Sequence, residues 1–286
     1  MDEVISSKRI VIKILLNNFR QILNIFKDFS PSVNFLISPQ KISMFSNLNG
    51  LYIYNDLEYI SLNAYDKDDE ELEHPTKDFE EFSIYVNIAN IKISFFNKNT
   101  IIYIKVFPDS KILHIENIDR VAVTKEGGKV ISTNTLMATK IEVNDSMIFS
   151  TDFFNPEYIV TKTYIHLTNF LGFLKSIECN KCIKCKITKD KFYFSSIGED
   201  TPTFNWMDAF PESTFDFEEV SAKLDKEKLT KLKALKIERI ICHLMYKDSK
   251  IAGLYFMPIP NTKSKMRIDK IKLFFEFEKE CKILFS

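Results

Sequence analysis

Glycine is scarce in this chain, 6 among 286 residues, and tryptophan occurs once. Long Gly-rich loops are thereby excluded, and none of the Gly-rich phosphate-cradling or dinucleotide-binding fingerprints is present. Glu126-Gly127-Gly128-Lys129 reads as a hairpin turn. The 4 histidines (His74, His114, His166, His243) lie far from any serine or cysteine in a nucleophile context. There is no Gly-x-Ser-x-Gly and no metalloprotease helix. Neither an enzyme nor a cofactor is expected. Net charge is missing too, since 39 Lys+Arg balance 39 Asp+Glu. That argues against holding nucleic acid by bulk charge and leaves room for a segregated basic surface. No apolar run approaches the ~18 residues of a membrane helix, so no membrane partner is expected. The opening Met1-Asp2-Glu3-Val4 has no basic region ahead of an apolar core, and no secretory leader is expected. Five cysteines without a regular framework fit a reducing compartment.

What the chain has is apolar periodicity. Hydrophobic residues make up 45% and phenylalanine numbers 26, enough for a large core. The excess of Lys, Asn, Ile and Phe is what AT-rich codons supply, as in a small viral or plasmid genome. Residues 161–196 display one unit clearly. A strand at 163–167 leads into a helix at 168–177, with Phe170, Leu171, Phe173, Leu174 and Ile177 on one face. Strands at 183–188 and 192–196 follow across a turn.

The same order recurs. A strand at 9–14 precedes a helix whose apolar face is Leu15, Phe19, Ile22, Leu23, Phe26 and Phe29, stopped by Ser30-Pro31. Strands follow at 33–37, 42–46 and 51–62, with Asn49-Gly50 as a turn. A second unit has a strand at 82–86, a poor helix at 87–96 and strands at 100–106 and 112–117. The fourth has a strand at 214–220, a helix from its cap Asp225 to Lys236, and strands at 237–245, 251–257 and 270–278. Repetition at a period of roughly 70 residues signals architecture more than catalysis. The expected fold is α+β in two domains, 1–125 and 160–286, joined by a connector with additional strands at 126–159. Residues 66–81 carry nine carboxylates and read as a solvated loop.

Two constellations invite chemistry. Cys179, Cys182 and Cys185 could begin a metal site, with a fourth ligand from His166, His243 or Cys242. A spacing of three on a strand, however, puts Cys182 and Cys185 on opposite faces, and small buried hydrophobes are the plainer reading. The second is the set of cations on the helices: Arg20 and Lys27, Lys92 and Lys98, Lys175, and Lys228, Lys231, Lys233 and Lys236. Each alone is an ordinary solvated face. If the repeats pack side by side, the helices share one surface and contact phosphates without reading bases.

Four such units in two halves resemble the sliding-clamp family typified by proliferating cell nuclear antigen. A closer resemblance is to the poxvirus late transcription factor 1 family. It is carried by Ile12-Lys13-Ile14 with Phe19-Arg20-Gln21-Ile22, Phe26 and Phe29-Ser30; by Ile165-His166-Leu167 with Leu171-Gly172-Phe173-Leu174-Lys175; and by Leu229-Thr230-Lys231-Leu232-Lys233 with Ile251-Ala252-Gly253 and Phe256. The resemblance implies helices facing double-stranded DNA, sheets behind them, and a possible homo-oligomeric ring. It further implies a cytoplasmic viral factor working with viral RNA polymerase and other late transcription factors. Partners would dock in a groove formed by 119–135, Leu48, Pro258, Ile259 and Pro260. The alternatives are a clamp serving a DNA polymerase and a zinc-binding regulatory protein.

Overall fold

The computed structural model describes residues 9–65, 81–89, 91, 101–107, 110, 112–124, 127–143, 154–177, 181–197, 204–212, 217–247, 251–259, 270–278 and 281–284. At 16–18, 117–124, 127–143, 204–206, 251 and 283 the backbone alone is described. The chain forms two compact units, one of residues 1–46 and 54–149, the other of 47–53 and 150–286.

The first unit begins with β1 (Arg9–Leu15) and α1 (Leu16–Phe29). Alternation along β1 puts Ile10, Ile12 and Ile14 inside at 0% exposure. Phe19, Ile22, Leu23, Phe26 and Phe29 of α1 are buried at helical spacing. Leu15, expected on that face, is instead the last residue of β1 and is 52% exposed. The helix stops where Ser30 turns extended ahead of Pro31, its N–H donating to Phe26 O at 2.7 Å.

Next come β2 (Ser32–Ile37), β3 (Ile42–Leu48), β4 (Leu51–Leu57) and β5 (Ser61–Tyr65), the stretch 47–53 with its turn counting with the second unit. Asn49 and Gly50 both have positive φ, 51° and 81°, as a two-residue hairpin turn needs. The strand expected at 51–62 is thus two strands, and β5 pairs with β1. β6 (Phe82–Asn87), β7 (Ile101–Phe107), β8 (Ile112–Thr124) and β9 (Gly127–Val143) complete the unit. One sheet runs β5-β1-β7-β8-β9, and β9 continues into another through β6, β2 and β3. So β9, in the stretch assigned to a connector, pairs with β6 and β8 of the first unit. Of the poor helix expected at 87–96, Asn87 ends β6 and Ile91 N donates to Ile88 O at 3.1 Å in a turn, while 90 and 92–96 lie outside the described residues.

The second unit opens with a 3-10 turn at Pro156–Tyr158, β10 (Ile159–His166) and α2 (Leu167–Ser176). It continues through β11 (Cys182–Thr188), β12 (Lys191–Ser195), β13 (Phe204–Asp208), the two-residue β14 (Phe210–Pro211) and β15 (Glu219–Asp225). α3 (Lys226–Thr230) runs on as a 3-10 turn, Lys231–Leu235, followed by β16 (Arg239–Lys247), β17 (Ile251–Pro258), β18 (Lys272–Glu276) and β19 (Lys282–Leu284). The strand expected from 214 begins at Glu219; residues 213–216 lie outside the described part. The sheets are β14-β10-β16-β17-β18 and β13-β12-β11-β15-β19. Phe192, Phe194, Phe256, Phe274 and Phe275 fill the core.

Candidate nucleic-acid interface

Three of the four expected helices can be followed. On α1, Asn24 and Asp28 are exposed while Arg20 and Lys27 are half-buried. Burial holds the Arg20 guanidinium below its ordinary pKa. Lys27 Nζ donates to the Ile91 carbonyl at 2.8 Å, so it serves its own unit before any ligand. Lys92 and Lys98 lie outside the described residues.

The second unit is better supplied. α2 buries Leu167, Phe170, Phe173 and Leu174, with the Phe170 ring 5.1 Å from Phe194. Its exposed residues are Thr168, Asn169, Gly172, Lys175 and Ser176, none of them acidic. Asp225 caps α3 by accepting from Glu227 N at 2.8 Å and Lys228 N at 3.2 Å, the cap expected from the sequence. α3 and the turn after it bury Leu229, Leu232, Ala234 and Leu235 and pack against α2. Lys226 Nζ donates to the Ile177 carbonyl at the C-terminal end of α2, where a cation suits the helix dipole.

The expected lysines therefore divide. Lys228 donates to the Asn49 carbonyl and stands 3.8 Å from Asp225, and Lys231 is half-buried. Lys175, Lys233 and Lys236 are exposed on the two adjoining helical segments. Lys236 has φ 51° and ψ 40°, the left-handed conformation glycine usually takes at a helix end.

Of the docking residues, Pro258 is buried at the end of β17, opposite Ile240, and Leu48 and Ile259 are half-buried. Pro260 lies outside the described residues, and for 119–135 no side chains are described.

Cys182 and Cys185 point to opposite sides of β11, as the spacing requires. Cys182 Sγ donates to Glu278 Oε1 at 3.0 Å, and burial, then that carboxylate, pushes its pKa up to about 11. Cys185 and Cys242 are fully enclosed, and burial raises both thiols far above the ordinary range. Among the described residues no three His, Cys, Asp or Glu side chains gather to hold a metal; Cys179 is outside them. His166 is exposed 3.4 Å from Glu238, while His243 is buried.

One group of residues was missed from sequence. On the sheet β5-β1-β7-β8, Arg9, Lys13, Lys105 and His114 share a half-exposed face with Tyr65, Tyr103 and Phe107. The i, i+4 spacing of Arg9 and Lys13 on one strand was the available signal.

A sequence profile of the family described as viral trans-activator protein matches residues 6–279. No curated protein matches the sequence significantly. Among solved structures, proliferating cellular nuclear antigen from Entamoeba histolytica is similar, with a TM-score of 0.58 and 12% identity over 94% of this chain and 98% of that one. The likeness shows the fold: a sheet-rich sliding-clamp type.

Proposed function

The chain belongs to the viral trans-activator protein family, and from that premise we propose that it is a non-enzymatic, clamp-like factor for viral late gene transcription. It associates with double-stranded DNA through helix cations and recruits the viral RNA polymerase and other late factors, in the cytoplasmic viral factory. The observation that carries the DNA reading is the exposure of Lys175, Lys233 and Lys236 on adjoining segments of the second unit. From 226 to 236 the chain holds five lysines and one glutamate. Such a surface binds phosphates irrespective of sequence, so affinity falls steeply with salt. In this reading the helices of both units share one face, and copies close into a homo-oligomeric ring.

A second reading is a processivity clamp for a DNA polymerase, favoured by the likeness to a nuclear antigen over nearly the full length of both chains. Depletion in infected cells separates the two. Loss of late transcripts with intact genome copying is the expected result; failure of copying would support the polymerase clamp instead.

A further inference from the structure

We propose that the half-exposed face of β5-β1-β7-β8 is a separate site for single-stranded nucleic acid, with tyrosines that stack on bases and cations that meet the phosphates. The proposal concerns the first unit and an unpaired strand, so it does not rest on duplex binding by the second unit.

Strand pairing assembles this face from four distant stretches. β1 lies between β5 and β7, setting Arg9 opposite Tyr65 and Lys13 opposite Tyr103. The Arg9 guanidinium stands 4.3 Å over the Tyr65 ring, and Lys13 Nζ lies 5.5 Å from the Tyr103 centroid. Lys105 is opposite His114 and pairs diagonally with Glu116 at 2.8 Å. The Phe107 ring meets His114 edge-on at 5.0 Å. The other side of these strands is apolar core, with Ile10, Ile12, Ile14, Ile102, Ile104 and Val106 buried.

A chain with no net charge thus places Arg9, Lys13 and Lys105 on one face, where among the described residues Glu116 is the carboxylate that answers Lys105. Arg9 and Lys13 are about 13 Å apart along the strand, reach enough for neighbouring phosphates. Rings interleaved with cations suit a strand whose bases are unstacked, because a duplex hides its base faces. In the free protein each tyrosine face is occupied by its own cation. A base that enters over the ring releases that cation toward the adjacent phosphate.

The test is fluorescence anisotropy of the full chain with labelled oligo(dT) and oligo(U) of about 12 nucleotides and with a duplex of the same length. Whichever single strand binds tighter identifies the source as DNA or RNA. Tyr103→Leu keeps the apolar bulk and Lys13→Gln leaves the fold unthreatened. Each should weaken single-strand binding about 10-fold and leave duplex binding unchanged. The helix variant Lys175→Glu/Lys233→Glu/Lys236→Glu should do the reverse. The acidic run 66–81 begins at the residue after Tyr65, so a variant with Asp and Glu of 66–73 changed to Asn and Gln is measured alongside. Single-strand binding unaltered by either sheet variant would overturn the proposal. So would binding that exists only after the acidic run is neutralised, since the cations would then be answering the chain itself.

Discussion

Lys226, the first residue of α3, donates its ammonium to the carbonyl of Ile177, the C-cap that follows α2. The bond sets a cation at the C-terminal end of α2, beside the Ser176 hydroxyl that donates to Phe173 O, and ties the two helical segments of the second unit together. Lys226→Met keeps the stem and removes the donor. A loss of about 1 kcal/mol in urea unfolding is expected, the usual scale for a partly exposed charge-assisted bond. An unchanged midpoint would mean that water replaces the ammonium at no cost.

Lys236 sets conformation against charge. Its left-handed backbone costs a non-glycine residue roughly 1 kcal/mol. Lys236→Gly should therefore hold or raise stability by up to about 1 kcal/mol while it weakens duplex binding. Most destabilising substitutions move both quantities the same way. A variant that melts earlier would contradict this account of the turn.

His243 bears on the acid side of stability. It is 6% exposed, stacks on Tyr255 at 5.5 Å, and among the described residues neither ring nitrogen has a hydrogen-bond partner. Burial lowers its pKa to about 4, with Lys162 acting in the same direction and Glu212 opposing. The unfolded chain takes up the proton near pH 6.5 and the folded chain only near 4, so between these values stability rises with pH. His243 should thus supply nothing above about pH 6.5 and cost about 3 kcal/mol by pH 4. His243→Phe should flatten the unfolding free energy over that window. An identical slope in the variant would assign the acid sensitivity to other groups.

Gly253 is a packing constraint. A Cβ there would lie 2.3 Å from the Phe275 carbonyl oxygen and 2.5 Å from the Phe274 ring, with backbone unable to yield on one side. Gly253→Ala should cost about 3 kcal/mol or more in urea unfolding. A loss under about 1 kcal/mol would show that β18 shifts freely.

Much of the frame was legible because single elements announce themselves. The α1 spacing from Phe19 to Phe29, the Asn49-Gly50 turn and the Asp225 cap each have a local chemical reason. The long hairpin of β8 and β9 was harder, since 130–148 alternates only in parts and the pairing of β9 with β6 and β8 is a tertiary fact. For the cations, the sequence placed Lys27 and Lys228 on helices but could not show that each amine is taken by a carbonyl, Ile91 or Asn49. Nor could it show that Tyr65 and Tyr103 flank β1, because register joins residues far apart in the chain.

The measurement closest to the central claim is duplex DNA affinity across a salt series, for the wild-type chain and for Lys175→Glu/Lys233→Glu/Lys236→Glu. Exposed helix charges add little stability, so the variant should melt as the wild type does. Its affinity should fall at least 10-fold, and the slope of log affinity against log salt should shrink by about three phosphate contacts. A folded variant with wild-type affinity and slope would contradict the assignment of these helices to DNA.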